Sequence, residues 1–198
     1  MGYGSLMTCR KCQNTYQLFT GCGMGYHLEY EKTMKQIKSG KFGKRMQEIA
    51  NDDEFVAVDV EQKLYVCDKC GGWSVEKACH LYKPKSRAAV IQNKIDEWSW
   101  QDEFLKTISY DEEKNEIKTN DGRIVSLSEV LPYVDFWGSN RDNYEKILEI
   151  RHKCHKCGEV MREIKEDEPV ELKCPDCGGD MWESGSVCWD WLKMKRGF

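Results

Sequence analysis

The residues best placed to do chemistry in this chain are eight cysteines in four Cys-x-x-Cys forks: Cys9/Cys12, Cys67/Cys70, Cys154/Cys157 and Cys174/Cys177. A turn of this length brings two sulfurs onto one ion, and a second fork completes a tetrahedral shell. Eight thiolates therefore read as ligands for two Zn2+ ions per chain. Iron is allowed by the same ligands, but two separate ribbons favour zinc. Four thiolates leave no open position for water, so the metal is expected to be structural and the protein not an enzyme.

Four forks can pair in three ways. Joining the first with the second and the third with the fourth closes the shortest loops, of 54 and 16 residues, and is the expected arrangement because closure entropy rises with loop length. Glycine follows the second cysteine in three forks (Gly71, Gly158, Gly178) and supplies the positive φ that turns the backbone around a metal. Gln13 stands there after Cys12, so the first fork is expected to turn differently.

Other chemistries fit less well. His27-Leu28-Glu29 followed by Cys67 and Cys70 resembles part of a zinc-deaminase pattern, but Val66 stands where proline is expected and Cys9 and Cys12 would have no role. A redox dithiol belongs at a strand–helix junction, not in a Cys-Gly knuckle followed by extended chain. Cys22, Cys79 and Cys188 read as small buried apolar residues, with Cys79-His80 the pair able to bind something further. Asp68 and Asp176 read as turn formers. Four histidines assemble no nucleophilic triad.

The elements that must hold the forks follow from residue patterning. Lys63-Leu64-Tyr65-Val66, Ile147 to His152 and Val170 to Lys173 read as strands entering forks. Thr15 to Phe19 and Val160 to Ile164 read as strands leaving them. Tyr30, Met34 and Ile37 mark one helix, Ser39-Gly40 breaks it, and Phe42, Met46 and Ile49 mark a second. A helix is expected from Ala88 to about Leu105, with Ile91, Ile95, Trp98 and Phe104 on one face, then a hairpin over 106–126 and a short turn at Ser126 to Val130. The fold class is α+β: two zinc ribbons with helical insertions, divided as 1–84, 85–135 and 136–198.

Composition sets the frame. Across 198 residues, 32% are charged and mean hydropathy is −0.71, a modest apolar stock. Structural zinc, worth about 10–16 kcal/mol in small peptides, therefore rivals the ~5–15 kcal/mol net stability of a typical domain. No run approaches a membrane span, and a cytoplasmic location is expected. The formal charge of −4 becomes about −8 with eight thiolates on two divalent ions, which argues against general nucleic-acid binding. Arg10, Lys11, Lys69, Lys153, His155, Lys156 and Lys173 are expected to offset thiolate charge. Trp182, Trp189 and Trp191 are expected to complete a thin ribbon core.

Taken together, Gly2-Tyr3-Gly4, the Cys9–Cys12 fork, Gly21-Cys22-Gly23-Met24 with Gly40-Lys41-Phe42-Gly43, and Cys174-Pro175-Asp176-Cys177-Gly178 with Glu183-Ser184-Gly185 resemble a group of small, largely uncharacterised bacterial zinc-ribbon proteins. The resemblance covers the cysteine-rich ends and not the longer middle, about 85 to 130. It implies two zinc sites, a compact ribbon protein and no enzymatic activity. The expected partner is a protein, met by a non-catalytic adaptor; no membrane or small-molecule substrate is indicated. Nucleic acid is the alternative, through Lys32, Lys35, Lys38, Lys41, Lys44 and Arg45, because no acidic residue interrupts positions 32–47.

Overall fold

The computed structural model describes residues 2–22, 25–98, 103–111, 113–114, 116–130, 138–165 and 168–189. In chain order the elements are β1 (Gly2–Cys9), β2 (Thr15–Thr20), α1 (Tyr26–Lys38), α2 (Lys44–Asp52), β3 (Ala57–Val58), β4 (Gln62–Val66), β5 (Trp73–Lys77) and β6 (Leu81–Pro84). They continue with α3 (Arg87–Trp98), β7 (Ile108–Asp111), β8 (Glu116–Thr119), β9 (Ile124–Val125), α4 (Leu127–Val130), β10 (Tyr144–Leu148), β11 (Arg162–Glu163) and β12 (Met181–Trp189). The class is α+β, with several small antiparallel sheets. Among the described residues no helix is long and apolar enough to cross a membrane.

Contacts group the chain into two units, each assembled from separated segments, which differs from the contiguous 1–84, 85–135 and 136–198 division. One comprises Met1–Glu29, Val60–Cys79 and Ile150–Phe198; the other comprises Tyr30–Asp59 and His80–Glu149.

The first unit carries all four forks and repeats one plan twice. A hairpin turns through a fork, β1 to β2 or β4 to β5, and a strand leaving a later fork pairs with the first strand of that hairpin. The sheets run β12-β1-β2 and β11-β4-β5. The β1–β12 ladder extends from Gly2↔Trp189 to Cys9↔Met181, with an irregularity at Leu6/Met7, where Ser184 Oγ donates to the Leu6 carbonyl at 3.1 Å. Gly4 makes the close approach possible: a Cβ there would lie 2.6 Å from Val187 Cγ2 and 2.9 Å from Phe19 Cδ1. Leu18, Val66 and Leu172 form a shared core, flanked by Met7, Leu64, Trp73 and Ile164. A Gly21↔Gln62 bridge ties the end of β2 to the start of β4.

The second unit holds the larger core. Tyr30, Thr33 and Ile37 recur on one face of α1 and are buried, as period 3.6 requires. Gly40 ends the run at φ 85°, and α2 buries Met46 and Ala50. Phe42, expected as a marker of the second helix, lies ahead of α2 and is 37% exposed. The sheets are β10-β6-β3 and β7-β8-β9, with Phe55, Val58, Leu81, Val90, Ile91 and Val130 almost wholly buried. The buried Asp59 carboxylate meets Arg141 at 3.1 Å. The strand expected over Ile147–His152 to feed the third fork instead ends at Leu148 and pairs with β6. Lys173, expected to close a strand, makes an isolated bridge to Asp180.

Candidate metal centres

The first two forks follow strands β1 and β4, the last two follow isolated bridges at Lys153 and Lys173, and all four share one backbone frame. The N–H of the first cysteine donates to the carbonyl five residues on: Cys9 to Asn14 (2.9 Å), Cys67 to Gly72 (2.7 Å), Cys154 to Glu159 (2.8 Å) and Cys174 to Gly179 (2.8 Å). The N–H four residues on donates back: Gln13 to Cys9 (3.1 Å), Gly71 to Cys67, Gly158 to Cys154 (both 2.8 Å) and Gly178 to Cys174 (2.9 Å). The returning residue is left-handed in every fork, at φ 63° for Gln13 and 66°, 75° and 70° for the three glycines. The first fork therefore turns like the others, contrary to expectation. Two hydrogen bonds impose a conformation that costs a side-chain-bearing residue roughly 1–2 kcal/mol, and Gln13 offsets part of it by donating Nε2 to the Arg10 carbonyl at 3.1 Å.

The forks assemble into two quartets: Cys9, Cys12, Cys174 and Cys177, and Cys67, Cys70, Cys154 and Cys157. Within each, all four sulfurs lie within 4.8 Å of one another, so each could hold a metal ion. All eight expected ligands are thus brought together, but not in the expected pairs. The pairing is nested, first fork with fourth and second with third. The closest cross-fork sulfurs are Cys9–Cys177 (3.5 Å), Cys12–Cys174 (3.6 Å), Cys67–Cys157 (3.5 Å) and Cys70–Cys154 (3.5 Å). A tetrahedron of 2.3 Å metal–sulfur bonds has an edge of about 3.8 Å, so the quartets are close to the size such an ion needs.

The sheet pairing overrides the loop argument. Nesting closes loops of 83 and 161 residues in place of 54 and 16, an added closure cost of only about 2–3 kcal/mol because the dependence is logarithmic. Against it stands the β1–β12 ladder, running the length of both strands, together with the shared core.

Burial is uneven: Cys9, Cys67, Cys154 and Cys174 are buried, whereas Cys12, Cys70 and Cys157 are exposed. The N–H groups of Lys11 and Cys12 point at Cys9 Sγ, at 3.3 and 3.5 Å, and its thiol is lowered mainly by the Cys12 N–H. The N–H of Cys157, then that of Lys156, brings Cys154 down to about 6. Burial opposes ionisation of Cys174, but the Tyr16 hydroxyl and the N–H groups of Cys177 and Asp176 outweigh it, again to about 6. For Cys12 the Asn14 N–H favours the thiolate, yet burial and the neighbouring thiols Cys177, Cys9 and Cys174 push it up to about 12. Cys157 reaches about 12 in the same way, with the Glu159 N–H outweighed by burial and by Cys67, Cys70 and Cys154. Four thiolates repel one another, and a divalent cation at the centre removes that obstacle.

Around the sulfurs the structure adds residues that spacing did not single out. Tyr16 Oη donates to Asp176 Oδ2 at 2.5 Å and lies 3.6 Å from Cys174 Sγ. Asn14 Nδ2 donates to the same carboxylate at 2.7 Å. Asp176, expected as a turn former, therefore clamps the fourth fork to the β1–β2 hairpin. Gly179 is required for space, and Gly72 stands where a side chain would be tight. A Cβ at Gly72 would sit 3.0 Å from Cys154 Sγ, and one at Gly179 would sit 2.8 Å from Lys11 Cβ and 3.1 Å from Cys9 Sγ. Several fork cations pair with carboxylates rather than sulfurs: Lys69 with Glu159 (2.7 Å), Lys173 with Asp180, and His155 near Glu76 (3.5 Å).

The remaining candidates lie elsewhere. Glu29 pairs with Lys77 at 2.5 Å, and neither His27 nor Glu29 belongs to a cysteine quartet. Cys22, Cys79 and His80 are buried; the Cys188 side chain lies outside the described residues. Trp182, expected to complete the core, is 43% exposed beneath the Arg10 guanidinium, 6.0 Å from the ring centroid. Trp191 and the Trp189 side chain lie outside the described residues. Lys32, Lys35, Lys38, Lys41, Lys44 and Arg45 are all exposed. Comparison with protein-family models, with curated proteins and with solved structures finds no match, so the reading of both sites rests on their own geometry.

Proposed function

We propose that the chain is a zinc-binding, non-catalytic interaction module whose two four-cysteine sites hold a pair of zinc ribbons and whose partner is a protein. The observation that supports this reading is the closure of both quartets by four sulfurs each at near-tetrahedral separations. A shell completed by thiolates binds and shapes; it has no vacant position at which to activate water. Zinc fits the ligand set better than a harder cation, and its role is to fix the hairpins that carry the rest of the surface. Native mass spectrometry of protein purified without added metal or chelator tests it. Two zinc ions per chain support the reading; iron, or oxidised forks without metal, would sink it.

A second reading is favoured by one observation: all six cations between 32 and 45 are exposed. Gln47 Nε2 donates to the Lys38 carbonyl at 3.0 Å, which holds the end of α1 to α2 and keeps this stretch continuous. Such a face suits nucleic-acid phosphates. Affinity for a mixed-sequence duplex should then fall steeply with salt and vanish when Lys35, Lys38 and Lys41 become Glu. Retention that ignores both would exclude this reading.

A further inference from the structure

The two quartets share the structure that supports them, and their loops are nested. Trp73, the residue after Gly72 beside the Cys67 quartet, donates Nε1 to the carbonyl of Lys173 at 2.8 Å, immediately ahead of Cys174. Lys156, inside the third fork, donates Nζ to the carbonyl of Pro175 at 3.2 Å, inside the fourth. Tyr16, whose hydroxyl faces Cys174 Sγ, stands edge-on to the Trp73 ring with centroids 6.0 Å apart. One carbonyl of the fourth fork and the one immediately ahead of it are therefore held by side chains that accompany the second and third forks.

Resting on the zinc reading above, we propose that metal in the inner quartet (Cys67, Cys70, Cys154, Cys157) raises the affinity of the outer quartet (Cys9, Cys12, Cys174, Cys177). Trp73 and Lys156 carry the coupling. Chain connectivity adds to it. Closing the inner quartet bridges the 83 residues between Cys70 and Cys154 and shortens the outer loop to about half. That raises the effective concentration of the outer forks roughly three-fold. The side-chain contacts multiply this by positioning the fourth fork. The effect is reciprocal, because a coupling free energy between two sites belongs to both.

The test compares outer-quartet zinc affinity, by chelator competition with native mass spectrometry, in the intact protein and in the Cys67→Ser/Cys70→Ser variant, which keeps all four outer ligands and only Cys154 and Cys157 of the inner ones. The outer site should bind zinc ten-fold or more weakly once the inner ion is absent; unchanged affinity overturns the proposal. Because that variant can also lose its fold, the Trp73→Phe/Lys156→Met variant keeps all eight ligands and removes only the two cross-site bonds. It should still hold two zinc ions, with the first released to chelator several-fold more readily. Release at the rate of the parent protein overturns the coupling while leaving both metal sites standing. Failure of the parent protein to bind any zinc sinks the metal reading and the coupling with it.

Discussion

Tyr16 Oη lies 2.5 Å from Asp176 Oδ2, joining strand β2 to the middle of a fork 160 positions later in the chain. The same carboxylate accepts from Asn14, and the Tyr16 hydroxyl faces the sulfur of Cys174. One phenol thus orients both a sulfur ligand and the turn that presents it. Tyr16→Phe should keep the outer metal but release it about 10–100-fold faster to a chelator, the usual scale for residues that orient metal ligands. Chelator-driven release followed by absorbance checks this; an unchanged rate would show that Asn14 alone holds the fork.

The knuckle frame makes opposite expectations at equivalent positions. A Cβ at Gly158 would meet nothing within 4 Å, yet its φ is +75°, so Gly158→Ala should cost about 1–2 kcal/mol through backbone strain alone. Gln13→Gly relieves the same strain at φ 63° and loses one side-chain bond, for a net gain of up to about 1 kcal/mol. Thermal unfolding of the two metal-loaded variants should shift in opposite directions.

Chelation should divide the molecule. Most of the largest fully buried side chains (Phe55, Ile37, Leu81, Ile91, Val58, Val90, Val130) lie in the unit of Tyr30–Asp59 and His80–Glu149, whereas the fork-bearing unit contributes Val60. A unit with so little core depends on its metal. Hydrogen exchange after metal removal should show lost protection at β1, β4 and β12 and retained protection at β6 and α3. Uniform collapse would mean that the second unit also depends on the ions.

Three carboxylates around the small β7-β8-β9 sheet make it acid-sensitive. Asp111 is held below the usual carboxylate range by the Lys114 N–H, then by the Lys118 ammonium. Asp121 is lowered by the Thr119 hydroxyl, then by the Arg123 N–H. Glu129 is lowered by the Ser126 N–H at the start of α4. A depressed folded-state pKa gives stability that is full above the unfolded value, near 4, and is lost as pH falls through the lower folded value. Local amide exchange in this sheet should therefore rise below about pH 4, and Asp121→Asn should flatten that dependence.

The sequence made the ligands legible because Cys-x-x-Cys is a local pattern whose chemistry allows few alternatives. The same holds for α1, α2 and the 108–119 hairpin, where hydrophobic period and turn residues act over short range. The pairing of forks was not legible. It is decided by strands such as β1 and β12, more than 170 positions apart, whose ladder outweighs a logarithmic closure cost. Gln13 misled for a related reason: residue type states a preference, and two backbone hydrogen bonds overrule it. Trp182 was expected inside because tryptophan is large and apolar. Its ring instead stays 43% exposed against Arg10.

Nesting also has a consequence for the chain as it is made. On the ribosome, the first of these four forks to emerge is the last to be completed, because Cys9 and Cys12 must wait for Cys174 and Cys177. At about 5–20 residues per second, that interval of some 160 residues lasts roughly 10–30 seconds. Through that interval the Cys9 and Cys12 thiols stay unshielded, open to stray metal, oxidants and the cysteines of neighbouring chains.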